Sequence, residues 1–184
     1  MAQVSTRLCA LALAAMVGGM PLAATAQSAG DAVRAKGGTG LALPRFASLK
    51  VDRVNLRQGP GTEYPTAWVY QRAGWPVEIL REFEGWRQVR DSDDTVGWVQ
   101  GAMLSGRRTV LVRGSAQSAS DTSAAIPLRA DASERSSPVA YVEPGVVGGV
   151  LACDGRWCRL SVGDVRGWIE QSRLWGVYPG EAFR

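Results

Sequence analysis

The stretch that decides the fold is Gly85-Trp86-Arg87-Gln88-Val89, followed by Gly97-Trp98-Val99 and then by Leu104. A similar phrase follows about 70 residues later. It reads Arg156-Trp157-Cys158-Arg159-Leu160, then Gly167-Trp168-Ile169 and Leu174. A phrase repeated with a constant period indicates two copies of one small structural unit. The sequence therefore predicts a duplicated fold, although the repeat does not identify a ligand.

The first 26 residues have the features of a secretory signal peptide. Arg7 is their only charged residue, an apolar run follows it, and the small residues Ala24-Thr25-Ala26 precede Gln27. We expect cleavage between Ala26 and Gln27. A membrane anchor is the alternative, but Gly18-Gly19-Met20-Pro21 interrupts the apolar run well short of the roughly 20 residues that a spanning helix needs. The protein is therefore predicted to be periplasmic or secreted, with no stable membrane insertion after cleavage.

The remainder of the chain divides into a leader and two units. Residues 27–44 are rich in Gly, Ala and Ser, which is typical of a flexible leader. Short β-like runs separated by turn residues follow, and Val54 and Leu56 alternate with polar neighbours as in a half-buried strand. About five or six short strands in each unit, with almost no helix, indicate a small barrel or sandwich. We therefore predict an all-β chain with units at residues 45–105 and 106–184.

Two cysteines remain once Cys9 is removed with the signal peptide. Cys153 and Cys158 flank Asp154-Gly155, a dipeptide typical of a hairpin turn, and an oxidising compartment favours their pairing. If the two residues face each other on paired strands, a disulfide follows, worth about 2 kcal/mol by loop entropy. A free or redox-active pair is the alternative, but the spacing is not that of a C-x-x-C motif.

Composition argues against several classes of function. The formal net charge is +4 with opposite charges interspersed, so no nucleic-acid partner is predicted. Histidine is absent, which excludes Ser-His-Asp and Cys-His nucleophilic machinery and the commonest metal ligand. Asp91, Asp93 and Asp94 form the densest acidic group and fit a hairpin turn, where Asp bonds the backbone. Paired carboxylates for glycoside hydrolysis or a calcium site are the alternatives. We predict no enzyme, metal or cofactor.

A longer run of residues matches a known pattern. Val54-Asn55-Leu56-Arg57-Gln58-Gly59-Pro60-Gly61, with Tyr64-Pro65 and the Gly-Trp pairs, resembles the bacterial SH3 domain. The Cys-x-Gly-x-Trp-Cys hairpin and the closing segment 174–181 are similar to those of secreted tandem SH3-like proteins of Gram-negative bacteria. The resemblance covers residues 43–181 and implies two tandem SH3-like β-barrels. Related domains often accompany cell-wall hydrolases and recognise peptidoglycan or its peptides. The second copy departs from the pattern, since Ala130-Asp131-Ala132 stands where Gly-Pro-Gly is expected.

Aromatic side chains of the first unit are the main candidate binding residues, because rings with polar tips suit shallow grooves for peptides or sugars. Two acidic residues join them as candidate contacts for cationic amines of a cell-wall peptide. The full set is Tyr64, Trp68, Tyr70, Glu82, Glu84, Trp86 and Trp98. For Trp86 and Trp98 partial burial in the core is the alternative, and for the glutamates a solvated strand edge.

The sequence thus predicts a non-catalytic, exported recognition module that binds peptidoglycan or a cell-envelope peptide through the first barrel. The alternative is a periplasmic protein–protein adaptor without cell-wall affinity, which engages a partner protein through exposed strand edges or a proline-containing segment. The Gly-Pro-Gly loop occurs only in the first copy and the cysteine pair only in the second. We therefore expect the first barrel to bind and the second to support it.

Overall fold

The structure is a computed structural model that describes residues 37–114 and 125–184, so the predicted signal peptide and its cleavage site at Ala26–Gln27 lie outside the described residues. Seven antiparallel strands build the first unit. They are β1 (Arg45–Leu49), β2 (Val54–Arg57), β3 (Thr66–Tyr70), β4 (Pro76–Phe83), β5 (Trp86–Arg90), β6 (Val96–Gln100) and β7 (Leu104–Ser105). A single 3-10 turn, Gly101–Met103, lies between β6 and β7.

Eight strands build the second unit. They are β8 (Thr109–Val112), β9 (Ile126–Arg129), β10 (Pro138–Val142), β11 (Val147–Asp154), β12 (Trp157–Val162), β13 (Val165–Glu170), β14 (Leu174–Trp175) and β15 (Ala182–Phe183). The 3-10 turn Gln171–Arg173 occupies the place that Gly101–Met103 has in the first unit.

The two sheets have the same strand order, which confirms the duplication. The order is β3-β2-β6-β5-β4-β1-β7 in the first and β10-β9-β13-β12-β11-β8-β14 in the second, with β15 added beside β11. Each sheet encloses its own core of small aliphatic side chains, centred on Leu56 and Val99 in the first barrel and on Leu128 and Leu160 in the second. Alternation within β2 and β9 places Val54 and Leu56, and likewise Ile126 and Leu128, on the buried face.

The repeated Gly-Trp pairs mark the places where two strands approach most closely. A Cβ on Gly97 would lie 2.9 Å from the backbone oxygen of Arg57, and a Cβ on Gly167 would lie 2.9 Å from that of Arg129. Real Cβ atoms do not come so close to a backbone oxygen. The glycine in each copy therefore lets β6 pack on β2, and β13 on β9, which explains why this part of the phrase is repeated.

A disulfide closes the β11–β12 hairpin, as the sequence predicted. Cys153 and Cys158 are directly opposed in the strand register, are both buried, and are joined by a disulfide bond. In the intervening turn, Asp154 Oδ1 accepts hydrogen bonds from the backbone N–H of Trp157 at 2.7 Å and of Arg156 at 2.9 Å. These bonds hold the pKa of Asp154 below its ordinary value.

The segment that follows β13 joins the two barrels. The ring of Phe46, on β1 of the first barrel, lies 5.1 Å from the ring of Trp175 and 4.7 Å from that of Tyr178. Within the second barrel, Arg108 is paired with the carboxylate of Glu181 through two bonds of 3.0 Å, and its guanidinium lies 5.7 Å from the centroid of the Phe46 ring. Thr109 Oγ1 of the second barrel donates to the carbonyl of Gly74 in the first at 2.8 Å. These contacts, which we call the clasp, combine aromatic packing, one ion pair and one hydrogen bond at the junction.

The last part of the predicted leader contacts the first barrel. The backbone N–H and the hydroxyl of Thr39 both donate to Glu82, at 2.7 and 2.9 Å, and Leu43 packs against the hydrophobic core. The glycine-rich composition of residues 27–44 predicted a flexible segment. In the described part of this segment the carboxylate of Glu82 accepts hydrogen bonds from Thr39, and the flexibility of the leader stays a prediction.

Candidate functional site

A groove of about 790 Å³ runs along the outer edge of β3 in the first barrel. Six consecutive residues, 67–72, line one side of it. Trp75, from the turn after β3, and Asp91, Asp93 and Thr95, from the turn between β5 and β6, complete it. Within the described residues β3 pairs only with β2, so it is an edge strand with no strand partner on its other side.

A buried hydrogen bond forms the floor of the groove. The hydroxyl of Tyr70 donates to Asp91 Oδ2 at 3.0 Å, and both side chains are buried. Burial raises the pKa of Tyr70, and so do the charge of Asp91 and the hydrogen bond to it. Asp91 Oδ1 accepts two further bonds, from the backbone N–H of Asp93 at 3.0 Å and of Thr95 at 2.9 Å. Asp91 therefore orders the turn that carries Asp93.

Two tryptophans and two charges make the walls. Trp68 is 59% exposed, an unusual state for so large an apolar ring. Trp75 is half-buried and packs against the core of the barrel. Asp93 and Arg72 are exposed and bring one negative and one positive charge to the same groove. The groove can therefore offer an apolar surface, an acceptor for a cation and a donor for an anion.

The second barrel has none of these side chains at the matching positions. Strand register and shared turn hydrogen bonds align β3 with β10, the turn at Gly74 with that at Gly145, and β5 with β12. In the second barrel, Ala140 stands at the position of Trp68, Val142 at that of Tyr70, Val146 at that of Trp75, and Val162 at that of Asp91. The aromatic groove therefore belongs to the first barrel, although the fold is shared.

Tyr64 lies in the Gly-Pro-Gly loop between β2 and β3 and does not line the groove. Its ring covers Gly59, where a Cβ would collide with it, and it is 41% exposed. Arg57 fixes the loop, since its Nη1 donates to the carbonyl oxygens of Thr62 at 3.0 Å and Tyr64 at 2.6 Å. In the second barrel, Arg129 Nη1 donates to the carbonyl of Ser136 at 2.7 Å. An arginine thus holds the loop in both copies, with or without Gly-Pro-Gly.

Glu82 has internal partners for both of its carboxylate oxygens. Besides the two bonds from Thr39, it is paired with Arg45 at 2.6 Å and with Arg87 at 3.3 Å, and its side chain is only 2% exposed. Burial opposes the charge, but the bonds from Thr39 and Arg45 outweigh it and lower the pKa of Glu82 to about 2. Glu84 is exposed at the β4–β5 turn, with φ of 47°. Neither lines the groove, and their role as ligand contacts stays a prediction.

Trp86 and Trp98 are half-buried on the outer face of the first barrel. Trp86 lines a small separate pocket of about 140 Å³ together with Arg57 and Thr62. Trp98 is opposite Arg57 in the β2–β6 register. Of the seven predicted contacts, the structure therefore brings Trp68 and Tyr70 together in the groove and leaves the other five outside it.

The sequence predictions did not select Trp75, Asp91, Asp93 and Arg72 as contacts. Alignment of the two copies carries a signal for the first two, since Trp75 and Asp91 are replaced by valines in the second copy. In the part of the chain that the structure describes, no group of His, Cys, Asp or Glu side chains is arranged to hold a metal ion. No helix in the described ranges has the length and apolar character that crossing a membrane would require.

One curated protein resembles this chain in sequence. A Bacillus subtilis (strain 168) protein named "Putative N-acetylmuramoyl-L-alanine amidase YrvJ" is 25% identical over 126 residues, which are 67% of this chain and 24% of that protein. The chain thus spans about a quarter of the length of this relative.

Two solved structures are similar at lower identity. NlpC2 from Trichomonas vaginalis is 16% identical with a TM-score of 0.32, covering 72% of this chain and 48% of its own. An NlpC/P60 family protein from Bacillus cereus ATCC 10987 is 13% identical with a TM-score of 0.30, covering 70% of this chain and 55% of its own.

Both barrels match one protein-family model. The model described as "Bacterial SH3 domain" matches twice, at residues 50–106 and at residues 122–176. Each match falls on one of the two barrels and includes its copy of the repeated Trp phrase. The chain therefore belongs to the bacterial SH3 domain family and contains two copies of the domain.

Proposed function

We propose that this protein is a non-catalytic, exported recognition module that binds the peptide part of peptidoglycan in the groove of the first barrel. One observation carries the proposal: the aromatic groove along β3 is present in the first barrel, and its four matching positions in the second hold only Ala and Val. A duplicated scaffold that keeps an exposed tryptophan and a buried Tyr–Asp pair in one copy alone is best explained by a ligand for that copy.

The chemistry of the groove suits a short zwitterionic peptide. Ring faces of Trp68 and Trp75 offer apolar contact, while Asp93 can accept a hydrogen bond from an ammonium group and Arg72 can donate to a carboxylate. The unpaired edge of β3 offers main-chain hydrogen bonds to an extended peptide, as in strand addition. Stem peptides of peptidoglycan carry both charges on a short, extended backbone, so they match each of these features.

The comparisons favour the same class of ligand. The Bacillus subtilis relative is named as an amidase of N-acetylmuramoyl-L-alanine, and this chain matches only about a quarter of it. Since the family match accounts for both barrels, we propose that the chain supplies recognition without hydrolysis. The absence of histidine from the whole sequence agrees with this proposal, since imidazole is the usual general base of acyl transfer.

The experiment is co-sedimentation of the protein, purified after export, with peptidoglycan sacculi. We expect retention well above that of an inert protein. Trp68→Ala should weaken it about tenfold, as truncation of an exposed aromatic anchor usually does. Tyr141→Ala is the matched control, because Tyr141 is 64% exposed on β10, the strand of the second barrel that corresponds to β3. No retention of the wild type, or equal losses in the two variants, would refute the proposal.

A protein–protein adaptor is the second candidate, because an unpaired strand edge accepts a protein segment as readily as a cell-wall peptide. A photo-crosslinking residue in place of Ala67, which lines the groove and is exposed, separates the two in intact cells. Adducts that disappear on digestion of the sacculus favour peptidoglycan. A single discrete protein adduct that survives digestion favours the adaptor.

A further inference from the structure

The turn between β5 and β6, which we call the acidic turn (residues 91–95), has two sides. One side lines the groove through Asp91, Asp93 and Thr95. The other side meets the second barrel, where Arg113 Nη2 donates to the carbonyl oxygen of Ser92 at 3.1 Å. A residue of the second barrel thus contacts the wall of a groove that lies in the first.

Arg113 is itself fixed at its base. It follows β8, and its backbone N–H donates to the carbonyl of Arg173 at 2.7 Å. Its guanidinium lies over the ring of the buried Trp175, 5.8 Å from the ring centroid. Burial lowers the pKa of Arg113, while the charges of Asp94 and Asp93 raise it. The attraction between Arg113 and these two carboxylates acts on the acidic turn from the side of the second barrel.

A second route reaches the same turn. The hydroxyl of Tyr178 donates to Glu78 Oε1 at 2.9 Å. Glu78 Oε2 is paired with Arg90 Nη2 at 2.6 Å, and Arg90 Nη1 lies 3.4 Å from Asp94 Oδ1. Glu78 is buried and the network is continuous from the clasp to the acidic turn. Two independent contacts from the second barrel therefore converge on five residues of the first.

We infer that Arg113 and Tyr178 are positioning residues, through which the second barrel sets the conformation of the acidic turn and hence the placement of Asp93 in the groove. The inference rests on the proposed function for its effect on binding, but its effect on the turn is independent of any ligand. It gives a structural basis to the supporting role of the second barrel, which holds one wall of the site.

The test uses the full exported protein with Arg113→Ala, Tyr178→Phe and the double substitution. Tyr178→Phe removes only the hydroxyl and keeps the ring packed on Phe46. Arg159→Ala and Tyr141→Phe are matched controls, since both residues are exposed on the second barrel. The first measurement is amide hydrogen exchange at Asp93 and Thr95 in the free protein, read by NMR. We expect about fivefold faster exchange in the double variant, with the amide of Leu160 unchanged and the controls like the wild type.

The second measurement is retention by sacculi. We expect a loss of several-fold in the double variant and substantial recovery when Arg113→Lys replaces Arg113→Ala, because lysine keeps the charge that attracts the turn. Unchanged amide exchange at Asp93 and Thr95 would overturn the inference, whether or not retention falls. Faster exchange in a protein whose wild type is not retained at all would support the positioning of the turn and refute the proposed function instead.

Discussion

Replacement of Glu82 by Gln should destabilise the first barrel at neutral pH and make its stability less dependent on acid. The carboxylate of Glu82 receives two bonds from Thr39 and lies within ion-pair distance of Arg45 and Arg87, with only 2% of the side chain exposed. Gln keeps the shape of the side chain but loses the charge, so both arginines lose their counter-ion. The amide NH₂ group of Gln also takes the place of a carboxylate oxygen that accepted hydrogen bonds, and so it faces other donors.

The magnitude follows from the pKa of Glu82, which falls from its ordinary value of 4.5 to about 2. At about 1.4 kcal/mol for each pH unit, the ionised form contributes about 3 kcal/mol to the free energy of unfolding. Because the pKa is lower in the folded state, this contribution is present above pH 4.5 and is lost as the pH falls from 4.5 towards 2. Glu82→Gln lacks it throughout.

The assay is urea denaturation followed by tryptophan fluorescence, repeated at several pH values between neutral pH and pH 2. We expect Glu82→Gln to cost about 3 kcal/mol at neutral pH and to approach the wild type near pH 2. Glu84→Gln is the matched control, two residues away and exposed, and should cost less than about 0.5 kcal/mol at any pH. A cost for Glu82→Gln that is the same at both ends of the pH range would refute the reasoning.

Three further predictions concern the fold and the floor of the groove. Reduction of the disulfide, or Cys153→Ser with Cys158→Ser, should lower the free energy of unfolding by about 2 kcal/mol; denaturation midpoints that are equal with and without reductant would contradict this. Gly97→Ala should cost more than about 2 kcal/mol, since its Cβ would meet the backbone of β2, whereas Gly106→Ala, with nothing within 4 Å, should leave the melting temperature nearly unchanged. Tyr70→Phe should cost about 1–3 kcal/mol by leaving Asp91 short of a donor. Burial and Asp91 raise the pKa of Tyr70, so its neutral form adds stability below about pH 10, and this stability is lost at higher pH. In the folded wild type Tyr70 should stay protonated when other tyrosines ionise. The folded Tyr70→Phe variant should therefore show the same tyrosinate absorbance as the folded wild type.

The fold could be predicted because its signals are local or repeated. The Gly-Trp phrases, the alternation of Val54 and Leu56, and the Asp-Gly turn between two cysteines each specify structure within a few residues. The disulfide and the two-barrel architecture follow from them. The flexible leader is a composition-based prediction, and composition gave no sign that Thr39 bonds to Glu82, 43 residues away.

Site residues could be predicted from the sequence only where the residue type and its position on a strand were enough to indicate binding. Trp68 and Tyr70 stand out as aromatic residues on one strand, and they line the groove. Glu82 carries no local sign of its partner Arg45, 37 residues away, so sequence alone does not separate a buried ion pair from a free carboxylate. Asp91 fits a turn residue, which it is, but its bond to Tyr70 crosses 21 residues. Contacts of this range depend on strand order and register, which become known only with the fold.

The clasp has a consequence for any attempt to assign roles by cutting the protein in two. Phe46 of the first barrel packs on Trp175 and Tyr178 of the second. Ending the chain between the barrels would expose the ring of Phe46 to water and remove Tyr178 as a partner of buried Glu78, which would keep only its pairing with Arg90. We therefore expect the first barrel alone to be less stable than the pair, so single substitutions on either side of the junction separate binding from folding better than deletions do.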